Sequence, residues 1–343
     1  PTQHSVKELR SLGISPDIIV ARANEPLEQS IKDKIALFCN VKKDCVIENT
    51  TMDSLYEAPL MLHDNGLDTV VCRELGLDKK KPDLTEWQNL VKRIHSLKKN
   101  VKVGIVGKYV ALHDAYLSVR EALYHGGYEN DASVDISWID SEKITNENVA
   151  ETLKGLDGIV VPGGFGERGI EGMVAACRYA RENDIPYLGL CLGMQISVIE
   201  YARDVAGIED ANSREFDENG KHLVIDLMED QMRIVRKGGT MRLGAYPCKI
   251  VKGTMLEKAY GLKQVDERHR HRFEFNNAYK DVLSKAGLKI SGTSPDGAIV
   301  EAVEEPKNRF HVGVQFHPEF KSRPNKAHPL FREFITACVD KQQ

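Results

Sequence analysis

The chain has 343 residues, 41% of them hydrophobic and 29% charged, with a formal net charge of −4. That length suffices for two or three domains with a sizeable core. The near-balanced charge, with no long single-sign run, argues against nucleic acid or a membrane surface as partner. No apolar run approaches a membrane span, and the start Pro1-Thr-Gln-His has no signal-peptide character. Seven scattered cysteines with no C-x-x-C pair predict neither a disulfide framework nor a zinc knuckle, and suit a reducing cytoplasm.

The chain begins at Pro1 and enters at once an amphipathic helix with Val6, Leu9 and Leu12 on one face, which reads as a piece of something longer. Residues 1–78 then alternate strand and helix: strand over 17–21, helix over 31–38, strand over 45–47, and a helix over 54–63 that Pro59 should dent. This is α/β material too short to cover a sheet on both faces, so it is expected to be the end of a larger domain. Residues 79–100 read as a linker. Lys79-Lys-Lys-Pro82 ends the preceding element, and Asp83 with Glu86 forms a capping box before a helix with Leu84, Trp87, Leu90, Val91, Ile94 and Leu97 on its apolar face.

A complete α/β pattern occupies residues 101–343. Strands are predicted over 101–106, 134–139, 156–161 and 186–190, with helices over 116–125 and 170–182. Later segments are richer in strands (224–228, 246–251, 288–293, 299–303 and 311–316), and a helix over 329–339 closes the pattern. The fold class is therefore α/β, a mainly parallel central sheet flanked by helices on both faces.

Two glycine-rich segments look like phosphate loops. Gly104-Ile-Val-Gly-Lys108-Tyr109 is too short for a Walker A loop and has tyrosine where a magnesium-holding hydroxyl belongs. Gly164-Phe-Gly166-Glu-Arg-Gly169 matches a dinucleotide fingerprint, but the next strand ends in a cysteine instead of a ribose-binding acid. The better reading of Pro162-Gly-Gly164-Phe-Gly166 is a loop whose amides face a thiolate and stabilise an oxyanion.

That thiolate is Cys191. In Gly189-Leu-Cys191-Leu-Gly193-Met-Gln195 a strand passes into a helix through a cysteine flanked by glycines, the geometry of a nucleophile elbow. A helix N-terminus favours thiolate through its dipole. Downstream, His311-Val-Gly-Val-Gln-Phe-His317-Pro-Glu319 is a strand that delivers an imidazole at its end, with Glu319 close enough to orient it. Cys191, His317 and Glu319 supply nucleophile, base and orienter. The run Glu267-Arg-His269-Arg-His271-Arg272 reads on its own as a solvated basic strand, or through its alternating histidines as a metal site.

Together these segments resemble the triad (class I) glutamine amidotransferases over residues 101–343, a flavodoxin-like α/β fold. The whole chain resembles the CTP synthase family. That likeness rests on Pro1-Thr-Gln-His-Ser-Val-Lys-Glu-Leu, Pro162-Gly-Gly-Phe-Gly-x-Arg168-Gly, Leu190-Cys-Leu-Gly-Met-Gln195, Gly238-Gly-Thr-Met-Arg-Leu-Gly244, Glu267-Arg-His-Arg-His-Arg272 and Gln315-Phe-His-Pro-Glu-Phe320. The resemblance implies a glutamine pocket lined by Gly164, Leu192, Gly193, Met194, Gln195, Glu215 and Arg272. Glu215 would take the substrate ammonium and Arg272 its carboxylate. It also implies a lid at 239–244, and a remnant of a UTP/CTP site at Gln3 and Lys34.

In such a family Cys191 attacks the side-chain amide of L-glutamine and releases ammonia, with no cofactor for that half-reaction and no metal in this chain. The full-length relatives use ATP and Mg2+ to aminate UTP to CTP, respond to GTP as an activator, and assemble as homotetramers. The ATP loop and the magnesium carboxylates would lie before Pro1, so this chain alone is expected to hydrolyse glutamine only. Arg214 stands where the family usually has threonine, which could alter the loop beside Glu215. An amidotransferase serving a GMP or carbamoyl phosphate synthase, or a non-catalytic regulatory or assembly module, is the alternative reading.

Overall fold

The computed structural model describes residues 1–78, 80–227 and 241–342. The chain forms two compact units, Pro1–Ser96 and Leu97–Gln343.

In the first unit β1 (Ile19–Ala23) and β2 (Val46–Thr50) pair in parallel. Around them lie α1 (Thr2–Ser11), α2 (Gln29–Cys39), α3 (Ala58–Asp64), α4 (Leu67–Glu74) and α5 (Thr85–Ile94). Val6, Ile19 and Cys39 form its small buried core. Pro59 sits in the first turn of α3, where its missing N–H costs nothing, so it starts the helix instead of denting one. A capping box does occur just before it, at Ser54 and Glu57. At α5, Asp83 Oδ1 accepts from the amide of Thr85 at 3.0 Å, and the helix begins there with Leu84 at its cap. Trp87 Nε1 of α5 donates to the carbonyl of Tyr56 at 2.6 Å.

The second unit is built on a nine-stranded sheet. Its strands are β3 (Lys99–Gly107), β4 (Ala132–Asp140), β5 (Gly158–Val161), β6 (Tyr187–Leu190), β9 (Arg242–Ile250), β10 (Gln264–His271), β12 (Lys289–Thr293), β13 (Val300–Glu304) and β14 (His311–Val314). They lie in the order β10-β9-β12-β13-β14-β6-β5-β3-β4. The five from β14 to β4 run parallel, and the other four extend the β14 edge as an antiparallel wing. A separate small sheet joins β7 (Ala211–Ser213), β8 (His222–Asp226) and β11 (Glu274–Phe275). The strand expected over 224–228 is thus β8, and Met228 lies outside the described residues.

The central parallel strands β5, β6 and β14 are buried on both faces because helices cover both. Ile159 and Val161 join one buried cluster with α8 (Ile170–Glu182) and α9 (Leu192–Asp204). Val160, between them, joins the other with α6 (Leu117–Glu129) and α12 (Pro329–Lys341). In an open parallel sheet a ligand site forms beyond the strand carboxyl ends. Here β6 and β14 are parallel neighbours, with Leu190 opposite Val314. Their next residues, Cys191 and Gln315, therefore emerge side by side, with His317 two positions on.

Candidate active site

Cys191 occupies the junction of β6 and α9 at φ 53°, ψ −97°, a region a side chain enters only under strain of about 1–3 kcal/mol. Packing enforces the corner. A Cβ on Gly193 would lie 2.1 Å from the carbonyl oxygen of Val161, and one on Gly189 2.5 Å from the Gly193 backbone. The Cys191 amide donates to the Val314 carbonyl at 2.7 Å, fixing the elbow to β14.

His317 and Glu319 follow β14, and both are buried. His317 Nδ1 and Glu319 Oε1 are 2.7 Å apart, so the carboxylate fixes the proton on Nδ1. Among the described residues the buried Nε2 has no hydrogen-bond partner by geometry. Burial alone would push the imidazolium pKa down. The negative sulfur of Cys191 and the Glu319 carboxylate outweigh it and raise the value to about 11. The amide of His317 donates to the carbonyl of Arg268 in β10 at 2.7 Å, while Cys191 Sγ lies 3.9 Å from the carbonyl of Arg270. One strand of the wing thus abuts both reagents.

The loop 162–166 crosses the same site. A Cβ on Gly163 would fall 2.8 Å from His317 Cε1 and 3.6 Å from Cys191 Cβ. The expectation that the loop amides face the sulfur fails at Gly166, whose amide donates to Glu215 Oε1 at 2.8 Å. Beneath the loop, Lys108 is buried and its Nζ donates to the carbonyls of Phe165 (3.1 Å) and Gly166 (2.6 Å). Burial pulls its pKa down to about 8, against the attraction of Glu215. Burial likewise raises the Glu215 carboxyl, opposed by the Gly166 amide, Lys108 and Arg272. In the sequence Lys108 stands only in a segment too short for a Walker A loop, and nothing local points to this role.

Two cavities meet at the cysteine. One of about 240 Å³ is lined by Gly164, Cys191, Gln195, Glu215 and Arg272, together with Phe165, Met241, Arg270, His271 and Phe273. The other, about 440 Å³, lies toward His317, Glu319 and Phe320 and shares Gly164, Phe165, Cys191 and Arg270. The structure therefore brings most of the expected pocket residues to one small cavity. Leu192, Gly193 and Met194 form the buried first turn of α9 beside it. Arg270, which lines both cavities 6.0 Å from the ring of Phe165, was not singled out from sequence. Arg214 forks onto Asp226 of β8, through Nε and through Nη2 at 3.0 Å, and so anchors the segment before Glu215.

The Glu267–Arg272 run is not a solvated basic strand. Alternate residues of β10 point inward, and these are Glu267, His269 and His271. His269 Nε2 meets Glu301 at 2.8 Å, and His271 Nε2 meets Glu274 at 2.8 Å. Glu267 meets His328 at 3.1 Å and Tyr260 at 3.0 Å. The two histidines thus serve carboxylates, and the described residues contain no cluster of three or more metal-ligating side chains. Gln3 and Lys34 are exposed, on α1 and α2. Of the expected lid, Gly239 and Thr240 lie outside the described residues, as does Gly238 of the same motif, and β9 begins at Arg242.

Comparison with known proteins gives this geometry a family. Residues 1–77 match the CTP synthase N-terminus model. CTP synthase from Carboxydothermus hydrogenoformans is 58% identical over 339 residues, which are 99% of this chain and 63% of that protein. CTP synthase from Clostridium kluyveri is 57% identical over 340 residues, again 99% of this chain and 63% of that protein. The chain thus spans a little under two thirds of the length of these relatives. Among solved structures, the Trypanosoma brucei CTPS glutaminase domain with bound acivicin is 42% identical, with a TM-score of 0.66, covering 70% of this chain and 94% of that one. Residues 111–337, which carry the elbow, the loop and the His317–Glu319 pair, match the model of glutamine amidotransferase class-I, and the chain belongs to that family.

Proposed function

We propose that the chain hydrolyses L-glutamine to glutamate and ammonia through Cys191, His317 and Glu319, as the ammonia-producing part of a CTP synthase. The observation that carries this reading is Cys191 at a strained elbow, between the His317–Glu319 pair and a cavity with Glu215 and Arg272 in its wall. Arg272 and Glu215 would hold the carboxylate and ammonium of the amino acid. The sulfur attacks the side-chain carbonyl carbon, and the oxygen takes the charge toward the Gly164 amide and the start of α9. His317 accepts the thiol proton and returns it to the departing nitrogen, so ammonia leaves and a glutamyl thioester remains. Water, deprotonated by the same imidazole, clears the thioester and restores the thiol. Glu319 keeps the proton on Nδ1 so that Nε2 faces the sulfur.

In the full-length protein the ammonia would aminate UTP to CTP with ATP and Mg2+, under GTP activation, in a homotetramer. Gln3 and Lys34 would belong to the UTP/CTP site. Residues 1–78 would be the end of the synthase domain, 79–100 the linker and 101–343 the amidotransferase domain. All seven cysteines are free, which suits a cytoplasmic setting; no helix of the described residues is long and apolar enough to cross a membrane.

The test is a glutaminase assay with and without GTP, using Cys191→Ala as control. Glutamine turnover that is abolished by the substitution and rises with GTP supports the reading. Turnover that survives Cys191→Ala overturns the mechanism.

A further inference from the structure

Gln315 is fully buried, and the mechanism above does not use it. Its Nε2 donates to Cys191 Sγ at 3.6 Å. Its Oε1 accepts from Gln195 Nε2 at 3.3 Å, and the same Gln195 nitrogen donates to the carbonyl of Phe273 at 3.1 Å. We propose that Gln315 is a further catalytic residue, an N–H donor that stabilises the Cys191 thiolate, and that Gln195 and the Phe273 carbonyl hold it in the donating orientation. The proposal rests on Cys191 being the nucleophile.

The orientation follows from hydrogen-bond chemistry. A hydrogen-bond network distinguishes the two ends of a side-chain amide. A backbone carbonyl can only accept, so Gln195 must present its NH2 to Phe273. That nitrogen carries two hydrogens, and the second is available to Gln315 Oε1. With its oxygen taken, Gln315 can turn only its NH2 toward the sulfur. Reversing either amide would set two acceptors or two donors face to face in a dry site, a cost paid by no compensating contact. The polarity of the whole relay is therefore set by one backbone carbonyl.

The fold explains the juxtaposition. Leu190 pairs with Val314 in the parallel register of β6 and β14, so Cys191 and Gln315 are the next pair out. The backbone N–H of Gln315 donates to the backbone carbonyl of Glu301 at 2.9 Å, which fixes the residue on its strand. A neutral donor aimed at sulfur favours thiolate over thiol without competing with His317, which approaches from its own side of the site.

The experiment measures the pH dependence of Cys191 alkylation by iodoacetamide, with peptide mapping to single out this cysteine, in the full chain. Gln315→Met keeps the length and removes the donor; Gln315→Glu replaces it with an acceptor. Both should move the alkylation midpoint upward by about one unit or more, with the larger shift for Gln315→Glu. In glutamine turnover near pH 7, kcat should fall about tenfold with KM within about twofold. Gln195→Met, which releases the amide, should shift the midpoint in the same direction by less. A wild-type midpoint in a folded Gln315→Met protein overturns the proposal, and a wild-type midpoint in Gln195→Met overturns the relay. Thermal unfolding of each variant separates loss of fold from loss of donor. Glutamine turnover surviving Cys191→Ala would instead sink the nucleophile assignment, whatever the alkylation midpoints.

Discussion

The amide of Gly166 and the carboxylate of Glu215 are joined at 2.8 Å, so the loop over the cysteine and a wall of the small cavity move as one piece. Glu215 thus has two tasks: its charge faces the cavity, and its Oε1 holds the loop. The two are separable by substitution. Glu215→Gln keeps an acceptor for Gly166 and should raise KM for glutamine about ten- to hundredfold while largely sparing kcat. Glu215→Ala removes both and should lower kcat as well. Steady-state glutaminase kinetics of the pair decide it; equal kcat losses would show that the link to Gly166 is idle.

Lys108 gives the second test. It holds two carbonyls of the same loop from below while burial lowers its pKa to about 8. Lys108→Met should reduce kcat about tenfold through loss of loop position. Stability should respond the other way. A lysine with a depressed folded pKa binds more protons when unfolded, so wild-type stability should rise with pH between about 8 and the ordinary 10.5, relative to Lys108→Met. Urea midpoints at pH 7.5 and 10 measure this, and a wild-type midpoint that fails to rise relative to that of Lys108→Met between the two contradicts the burial argument.

The imidazolium of His317 supplies a third. Its folded pKa lies above the ordinary 6.5, at about 11. Its contribution to stability is therefore present in full below about pH 6.5 and is lost as pH rises through about 11. Cys191→Ser removes the negative sulfur that, with Glu319, opposes desolvation. The His317 titration followed by NMR at Cε1 should then fall by several units. A midpoint unmoved by the serine would assign the shift to Glu319 alone.

A fourth concerns the elbow. Gly193→Ala places a methyl 2.1 Å from a backbone oxygen that cannot step aside, and should cost about 3 kcal/mol or more together with activity. Gly207→Ala, at φ 73° with nothing within 4 Å of the added carbon, carries only the backbone penalty, about 1 kcal/mol. Thermal melts of the two variants should differ by several degrees.

The parallel core and the elbow were legible because each has a local signature: apolar runs of strand length, then glycine on either side of a cysteine. His317 and Glu319 were legible for the same reason, lying two residues apart where a proline stops a strand. The wing was harder. In β10 the inward face carries Glu267, His269 and His271; Glu274 is near in sequence, but the other buried partners, Glu301 and His328, lie 32 and 61 residues from theirs. A pattern of charges alternating with charges has no hydrophobic period to read. Lys108 and Gln315 escaped because each acts across a fold-level contact: a lysine under a loop 57 residues away, and a glutamine beside a cysteine only by strand register.

β10 touches the cysteine through Arg270 and the histidine through Arg268, two carbonyls on one edge separated by a single intervening residue. Side chains along a strand alternate strictly, so this arrangement has a parity. Inserting one residue within β10 would turn its imidazole and carboxylate face out to water and drive the arginine face into the acidic interior. Inserting two would restore the faces and merely displace the arginines along the cavity. Length variation in this wing should therefore be tolerated in even steps, a constraint imposed by the sheet and felt at the sulfur.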